Sequence, residues 1–338
     1  MIRRLAILAA AMLIGGTAQA ATTLNLSSYV PTSHPLVSEG MAEWAKEVEK
    51  ATQGRVTVRI LATPLGKPEA HFDMARDGIA DIALGIPGYT PGRFVLVDVA
   101  GVPGLANSGV ALSVGLWKTF AASPEMQKEF EGVKPLGVFT TSPMQFFNTK
   151  REIKTVDDFK GMKTRSAGGL MTDIVSALGM VPLLQPAGKS YELLSSGVAD
   201  AVINPQEAVK SLKLEQLVKY GTIIPGGLTA APIFLVMNPA KFNGLSKADQ
   251  DAVMSVSGER LSRIVGAVWD RHDKNGLETL KAAGGAVSTA SPELAKRISE
   301  AAEPVVAAWA ANAKDKRAAD GQAILTTLRA EVAKAEAQ

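Results

Sequence analysis

The feature that most limits the folds open to this chain is an alternation of short β-branched runs and amphipathic stretches that occurs twice. Thr23 to Tyr29 alternates as a strand and ends at Pro31. Leu36 to Thr52 carries Trp44, Val48 and Ala51 at helical spacing and stops at Gly54, and Arg55 to Leu61 alternates again as a strand. Pro68 to Asp77 reads as a helix ending at Gly78, and Asp81 to Ile86 as a short apolar strand. In the second half, Gly161 precedes a strand, Met162 to Arg165; Gly169 to Leu178 is helical; Ser190 caps a short helix, Tyr191 to Ser196, closed by Gly197; and Asp200 to Asn204 is a strand. Ala75 to Ala83 and Leu194 to Val202 share the order helix, glycine stop, aliphatic-Ala-Asp, strand, at an offset of 119 residues. Two β-α-β-α-β units predict two related α/β lobes, each a sheet flanked by helices. Two copies are too few for a solenoid.

The last third reads as mostly helical. Ser246 with Asp249 at N3 makes a box-like helix start. Asp249 through Leu280 is one long amphipathic pattern, with Gly258, Gly266 and Gly276 as expected bends or breaks. Ser291-Pro292-Glu293 opens another helix, with Ser at the cap and Pro at N1. Ala313 to Gln338, rich in Ala and Lys, is expected as a surface helix with a frayed end. At the other terminus, Arg3 and Arg4, the apolar run Leu5 to Ile14 and Ala18-Gln19-Ala20 form the pattern of a secretory leader cut after Ala20. The remaining 318 residues suit about two domains.

Composition removes several function classes. Without Arg3 and Arg4 the chain has 34 basic and 33 acidic residues, too balanced for a nucleic-acid partner. No later apolar run approaches the roughly 20 residues of a membrane-spanning helix. Cysteine is absent, which excludes disulfides, thiolate metal sites and thiol nucleophiles. The histidines are His34, His71 and His272. No G-x-S-x-G elbow accompanies them, so a Ser-His-Asp triad has no support. His71 and Asp73, two apart on a helix, do not share a face, so a surface histidine is preferred to a metal ligand. His272 falls in a charged helical stretch, a solvated face. No cofactor or metal is expected.

Four residues stand where an α/β lobe binds ligands, at or after the carboxyl ends of strands. His34 lies in the first such loop. Tyr89 lies in Gly85 to Gly92, which lacks the dinucleotide and P-loop spacings; it reads either as a plain Pro/Gly turn or as a rigid loop holding Tyr89 toward a cleft. Arg165 ends a strand beside the small-residue loop Ser166-Ala167-Gly168-Gly169. It suits either bidentate capture of a carboxylate or a structural ion pair, for instance with Asp200. Asn204, before Pro205, ends the equivalent strand, where its amide can join Arg165.

Over nearly all of its length after the leader, the chain resembles the solute-binding proteins of tripartite ATP-independent periplasmic (TRAP) transporters, the type that includes C4-dicarboxylate and sialic acid binders. Glu43 to Val56 is similar to that family's opening helix and strand, and Leu65-Gly66 to its Leu-Gly turn. Asp157-Asp158-Phe159-Lys160-Gly161-Met162-Lys163-Thr164-Arg165 is similar to its D-L-K-G-x-K-x-R signature, and Gly197 to Pro205 to its G-x-V-D-G-x-x-N-P stretch. The resemblance implies a two-lobe, type II-like periplasmic binding protein fold, with central sheets flanked by helices, a hinge and a long C-terminal helix. Residues 21–141 with about 230–270 would form one lobe and 142–229 with about 271–315 the other, leaving 316–338 as a helical tail.

The resemblance also implies that Arg165 pairs with a ligand carboxylate supported by Asn204. Three positions depart from the family pattern. Met144 stands where many members have a second arginine, Lys67 where sialic acid binders have an acid, and Ala187 where several have phenylalanine. Phe147, in the same stretch as Met144, is counted among the expected cleft residues. Losing one arginine and gaining Met144 favours a monocarboxylate with an apolar or aromatic body over a dicarboxylate. The expected partners are a small organic acid and a TRAP membrane permease, with no catalysis by the chain itself. A ligand-sensing subunit that docks on a receptor would share all these residues. A secreted hydrolase or lyase finds no nucleophile or histidine pair to support it.

Overall fold

The computed structural model describes residues 21–338; the expected leader lies outside the described residues. Among the described residues, eleven strands form two sheets. In chain order they are β1 (Thr22–Ser28), β2 (Val56–Ile60), β3 (Ile82–Gly85), β4 (Lys134–Thr140), β5 (Gln145–Asn148), β6 (Lys163–Ser166), β7 (Val181–Leu184), β8 (Ala201–Asn204), β9 (Tyr220–Ile223), β10 (Pro232–Met237) and β11 (Ala286–Thr289). The first sheet has the order β2-β1-β3-β10-β4 and the second β11-β9-β5-β8-β6-β7. β1 runs parallel to β2 and β3, and β6 parallel to β7 and β8. These are the β-α-β repeats of the two halves. β10 inserts antiparallel between β3 and β4, so the chain returns to complete the first sheet after five of the six strands of the second. The nine-residue similarity is structural as well: the His71–Arg76 helix, Gly78 and β3 in one lobe correspond to the Ser190–Ser195 helix, Gly197 and β8 in the other.

The lobes are tied by one helix. The long amphipathic pattern breaks once, at Gly258, giving helices Lys247–Ser255 and Glu259–Ala282. The second runs unbroken through Gly266 and Gly276. These glycines are contact points rather than breaks: a Cβ on Gly266 would lie 2.4 Å from the Val110 backbone, and one on Gly276 would lie 1.9 Å from the Gln206 carbonyl. Near its start Leu261 packs over Gly137 of the first sheet; near its end Leu280 enters the second core with Phe147, Val202 and Val209. Midway, Asp270 accepts hydrogen bonds from the Gly109 and Val110 amides at the start of the Gly109–Ala122 helix, where a negative group is favoured.

Three expected helices differ. The Leu36 to Thr52 stretch enters through a wide π-type turn, Leu36–Met41, before the α-helix Ala42–Ala51. The helix capped by Ser291, whose hydroxyl accepts from the Leu294 amide, runs 26 residues to Arg317 and carries Pro304 inside it. The tail is not a frayed surface helix. Gly321–Glu336 buries Leu325, Leu328 and Val332 in the main core, with Val332 against Gly115 of the Gly109–Ala122 helix. Its composition is Ala- and Lys-rich, but its apolar residues fall on one stripe that finds a partner.

Candidate functional site

The carboxyl ends of β1, β3, β4, β6 and β8 converge on a cavity of about 70 Å³ between the lobes. By the same measure one water needs roughly 10–15 Å³, so the space suits a small organic molecule about five to seven waters in bulk. Its walls include Tyr29, Val30, His34, Ile86, Tyr89 and Thr141 from the first lobe, and Arg165, Ala187, Asn204 and Glu207 from the second. Met144, where the chain crosses between sheets, and Trp269, on the tying helix, complete it. A larger and more open depression of about 520 Å³ lies beside Asp98, Pro304 and Trp309, but no buried cation faces it.

Arg165 is fully buried, at 0% exposure, inside β6. Its Nε donates to the Gln185 carbonyl at 2.7 Å, and Nη1 to Asn204 Oδ1 at 2.8 Å and the Ile203 carbonyl at 3.3 Å. Nη2 donates to the Tyr89 hydroxyl at 3.3 Å. A guanidinium has five N–H groups, so these four bonds leave one, on Nη2, for a guest. Among the described residues no carboxylate forms an ion pair with Arg165. Asp200, the alternative partner, instead accepts from the Lys163 amide and pairs with Lys150. Burial pulls the Arg165 pKa below its ordinary value, opposed by the Tyr89 and Tyr29 hydroxyls. A cation desolvated without a counter-ion carries unmet electrostatic demand, which an anion satisfies.

The first lobe supplies the cross-cleft contacts. Tyr89, on the short turn Pro87–Tyr89, accepts from Arg165 and from the Ala187 amide at 3.0 Å. Its own proton is therefore free to point into the cavity. The loop that carries it touches the opposite lobe by backbone: a Cβ on Gly88 would lie 2.3 Å from the Ala167 carbonyl, and one on Gly168 2.0 Å from the Gly88 carbonyl. The Gly85 to Gly92 run thus brings Tyr89 to the cleft, and the glycines of both loops permit the close approach. His34 accepts the Leu36 amide at Nδ1, 3.2 Å away, so its proton sits on Nε2, 3.4 Å from Glu207 Oε1 across the cleft.

Of the eight expected cleft residues, the structure gathers Arg165, Asn204, Tyr89, His34, Met144 and Ala187 around the cavity. Lys67 and Phe147 lie elsewhere. Lys67 is exposed in a turn that follows β2, the edge strand, which β1 separates from the cleft. Phe147 lies inside β5 in the second core, where Gly221 of β9 leaves room for its ring. His71 is not a surface residue. It is fully buried, with Nε2 3.2 Å from Ser27 Oγ and Nδ1 3.1 Å from the Lys67 carbonyl, and burial lowers its pKa. His272 is half-buried at the surface, 2.7 Å from the partly exposed Glu39. Among the described residues no cluster of His, Asp and Glu could hold a metal, and no helix is long and apolar enough to cross a membrane.

Of the wall residues that escaped the sequence reading, Tyr29, Glu207 and Trp269 carry polar groups. Tyr29 directly follows β1, so the strand-end rule that selected His34 reaches it too. Its hydroxyl pKa is driven well up by burial, then by Tyr89 and Glu207, with Arg165 opposing. Glu207 follows Asn204 by three residues. Trp269 had no local signal, because the amphipathic pattern accounts for it as core.

Two α/β lobes meeting over a small cavity, with a buried guanidinium that has no carboxylate partner, make the build of a two-lobe solute-binding protein. The sequence pattern of the bacterial extracellular solute-binding proteins, family 7 (DctP), matches residues 26–312, and the chain belongs to that family. Its fold is shared with a TRAP periplasmic solute-binding protein from Bordetella bronchiseptica solved with (R)- and (S)-mandelate bound. That protein is 35% identical, with a TM-score of 0.89 over 93% of this chain and 99% of that one. A TRAP solute-binding protein from Rhodoferax ferrireducens with copurified benzoate is 27% identical, with a TM-score of 0.87 over 94% and 99%. Among characterised sequences, an outer membrane transporter protein, TsaT, of Comamonas testosteroni is 29% identical over 312 residues, 92% of each chain. Members of the family are periplasmic and serve transporters rather than catalyse reactions.

Proposed function

We propose that this chain captures a small monocarboxylic acid with an apolar or aromatic body in the periplasm and hands it to a TRAP membrane permease. The observation that carries the reading is Arg165, desolvated and without an acidic partner in the wall of an inter-lobe cavity. The ligand carboxylate accepts from the remaining Nη2 proton and from the Tyr89 hydroxyl, while Asn204 Oδ1 fixes the guanidinium plane. Met144, Ile86 and Val30 give the body an apolar bed. The aromatic acids held by the Bordetella and Rhodoferax relatives support this class.

Capture works by closure. Tyr89 and His34 come from one lobe and their partners from the other, so a guest that touches both favours the shut form and moves the equilibrium by that difference alone. Residues 141–144 and 224–231 are the proposed crossing segments of the hinge.

Calorimetry tests the reading. Arg165→Ala should weaken binding of benzoate or phenylacetate by about 30- to several-thousand-fold, the effect of truncating one partner of a buried charge pair, roughly 2–5 kcal/mol. C4-dicarboxylates should bind the wild type more weakly than these monocarboxylates. Tighter binding of succinate or malate sinks the ligand class.

A further inference from the structure

Two residues that line the cavity each carry a buried polar atom with no protein partner: Glu207, at Oε2, and Trp269, at Nε1. Glu207 is 3% exposed and Trp269 is 2% exposed. Buried polar atoms are nearly always bonded, so such exceptions call for an explanation. The two residues are neighbours through His34, whose ring lies edge-on to Trp269 at 5.7 Å and whose Nε2 faces Glu207 Oε1 at 3.4 Å. The backbone bond at His34 Nδ1 leaves the ring one proton, spent on Oε1. Oε2 therefore still needs a donor. The backbone that carries Glu207 is fixed in place. Its amide donates to Asp273 Oδ1 at 2.8 Å, and the Gly276 surface of the tying helix presses on the Gln206–Glu207 backbone.

We propose that Glu207 Oε2 and Trp269 Nε1, braced by His34, form a hydroxyl-reading station beside Arg165, so that the ligand is a small hydroxylated monocarboxylic acid. The inference rests on the carboxylate reading of Arg165 and adds the second functional group. A hydroxyl donates one proton and offers two lone pairs, so it can satisfy both the carboxylate oxygen and the indole N–H. An aromatic amine donates, but its lone pair is delocalised into the ring and accepts poorly, which leaves the indole without a good partner. A second carboxylate would set like charges together in a dry site, a repulsive device against dicarboxylates.

The test is calorimetry on the full-length protein with matched probes: benzoate against its 2-, 3- and 4-hydroxy isomers and 3-aminobenzoate, and phenylacetate against mandelate. At least one hydroxy acid should bind about 10- to 100-fold tighter than its parent, the range of a hydrogen bond to a charged group. Glu207→Ala should reduce that ratio to near one. Glu207→Gln, which keeps the shape if the alanine variant folds poorly, should reduce it at least several-fold, as should Trp269→Phe. Equal binding of every pair by the wild type overturns the proposal, as does a ratio that survives in both Glu207 variants, or an amino acid probe that outbinds its hydroxy counterpart. Arg165→Ala separates the two readings: it should lose parent and hydroxy acid alike. If it binds the parents as well as the wild type does, the carboxylate reading is the one that fails. If no probe binds the wild type, both fail.

Discussion

At the scale of single residues, the site is organised by hydrogen-bond counts. Arg165 has one donor to spare, and the Tyr89 oxygen already accepts twice, from Arg165 and from Ala187. Tyr89→Phe would leave two buried N–H groups unpaired at once. Affinity for the carboxylic acid should fall about 5- to 150-fold, the effect of roughly 1–3 kcal/mol for stranded donors. The melting temperature of the ligand-free protein should move less than the affinity does, since the two bonds that Tyr89 loses lie between the lobes, where water replaces them once the lobes part. Calorimetry alongside thermal melting checks both halves of the statement. Two of the residues that matter stand at positions the amino-acid order alone singles out, an arginine and an asparagine at the carboxyl ends of equivalent strands, although that order leaves the arginine open to either a carboxylate or a structural ion pair. Glu207 is not singled out, since a glutamate before a helical turn is ordinary on a surface, and only the press of the tying helix buries it.

At the scale of elements, the Glu259–Ala282 helix is the member that both lobes share. Glycine within a helix normally weakens it, and Gly→Ala at an exposed position gains about 1 kcal/mol. Gly276→Ala should do the reverse, because the new methyl would sit 1.9 Å from the Gln206 carbonyl. Overpacking of this kind destabilises by about 1–3 kcal/mol, and here the strain falls on the backbone that presents Glu207. Urea unfolding should show the loss of stability, and calorimetry an accompanying loss of affinity. A stabilised variant with unchanged binding would contradict the packing account. The sequence marked Gly258, Gly266 and Gly276 alike as possible breaks. Helical periodicity continues through the last two, and only the facing backbones, Val110 and Gln206, reveal why they are small.

At the scale of the whole molecule, two acids, Asp98 half-buried and Asp273 buried, should make stability depend on pH. Asp98, of the first lobe, lies against Gly169 at the start of the second lobe's Leu170–Ala177 helix; burial, with Glu129 and Asp173 nearby, pushes its pKa up to about 8 from 3.8. Asp273, beside Glu207, is pushed up to about 7, mainly by burial. In the unfolded chain each carboxyl gives up its proton near the ordinary value, whereas in the folded protein it keeps the proton until pH approaches the raised value. The folded state is therefore favoured by these groups below about pH 4, and that advantage is lost as pH rises to about 8. Asp98→Asn removes one of the two groups, so its melting temperature should rise relative to the wild type across that range and level off above it. A gap that is constant from pH 4 to 9 would show that the carboxyl is not held protonated.

The sequence alone determined the elements and the strand ends at which a site could be built. Alternation of period two and spacing of three to four are local properties, set by the backbone within a few residues, so two α/β halves, their glycine stops and the strand ends bearing Arg165 and Asn204 could be read directly. The tertiary structure decided which of those ends face each other. It brought Glu207 and Trp269 to His34 from positions far apart in the chain, and seated the C-terminal helix in the core. It also sent Lys67 to an edge and Phe147 to the interior. The reason is physical: periodicity fixes which face of an element is apolar, whereas a cavity between lobes exists only through long-range packing, which selects the partner for each face.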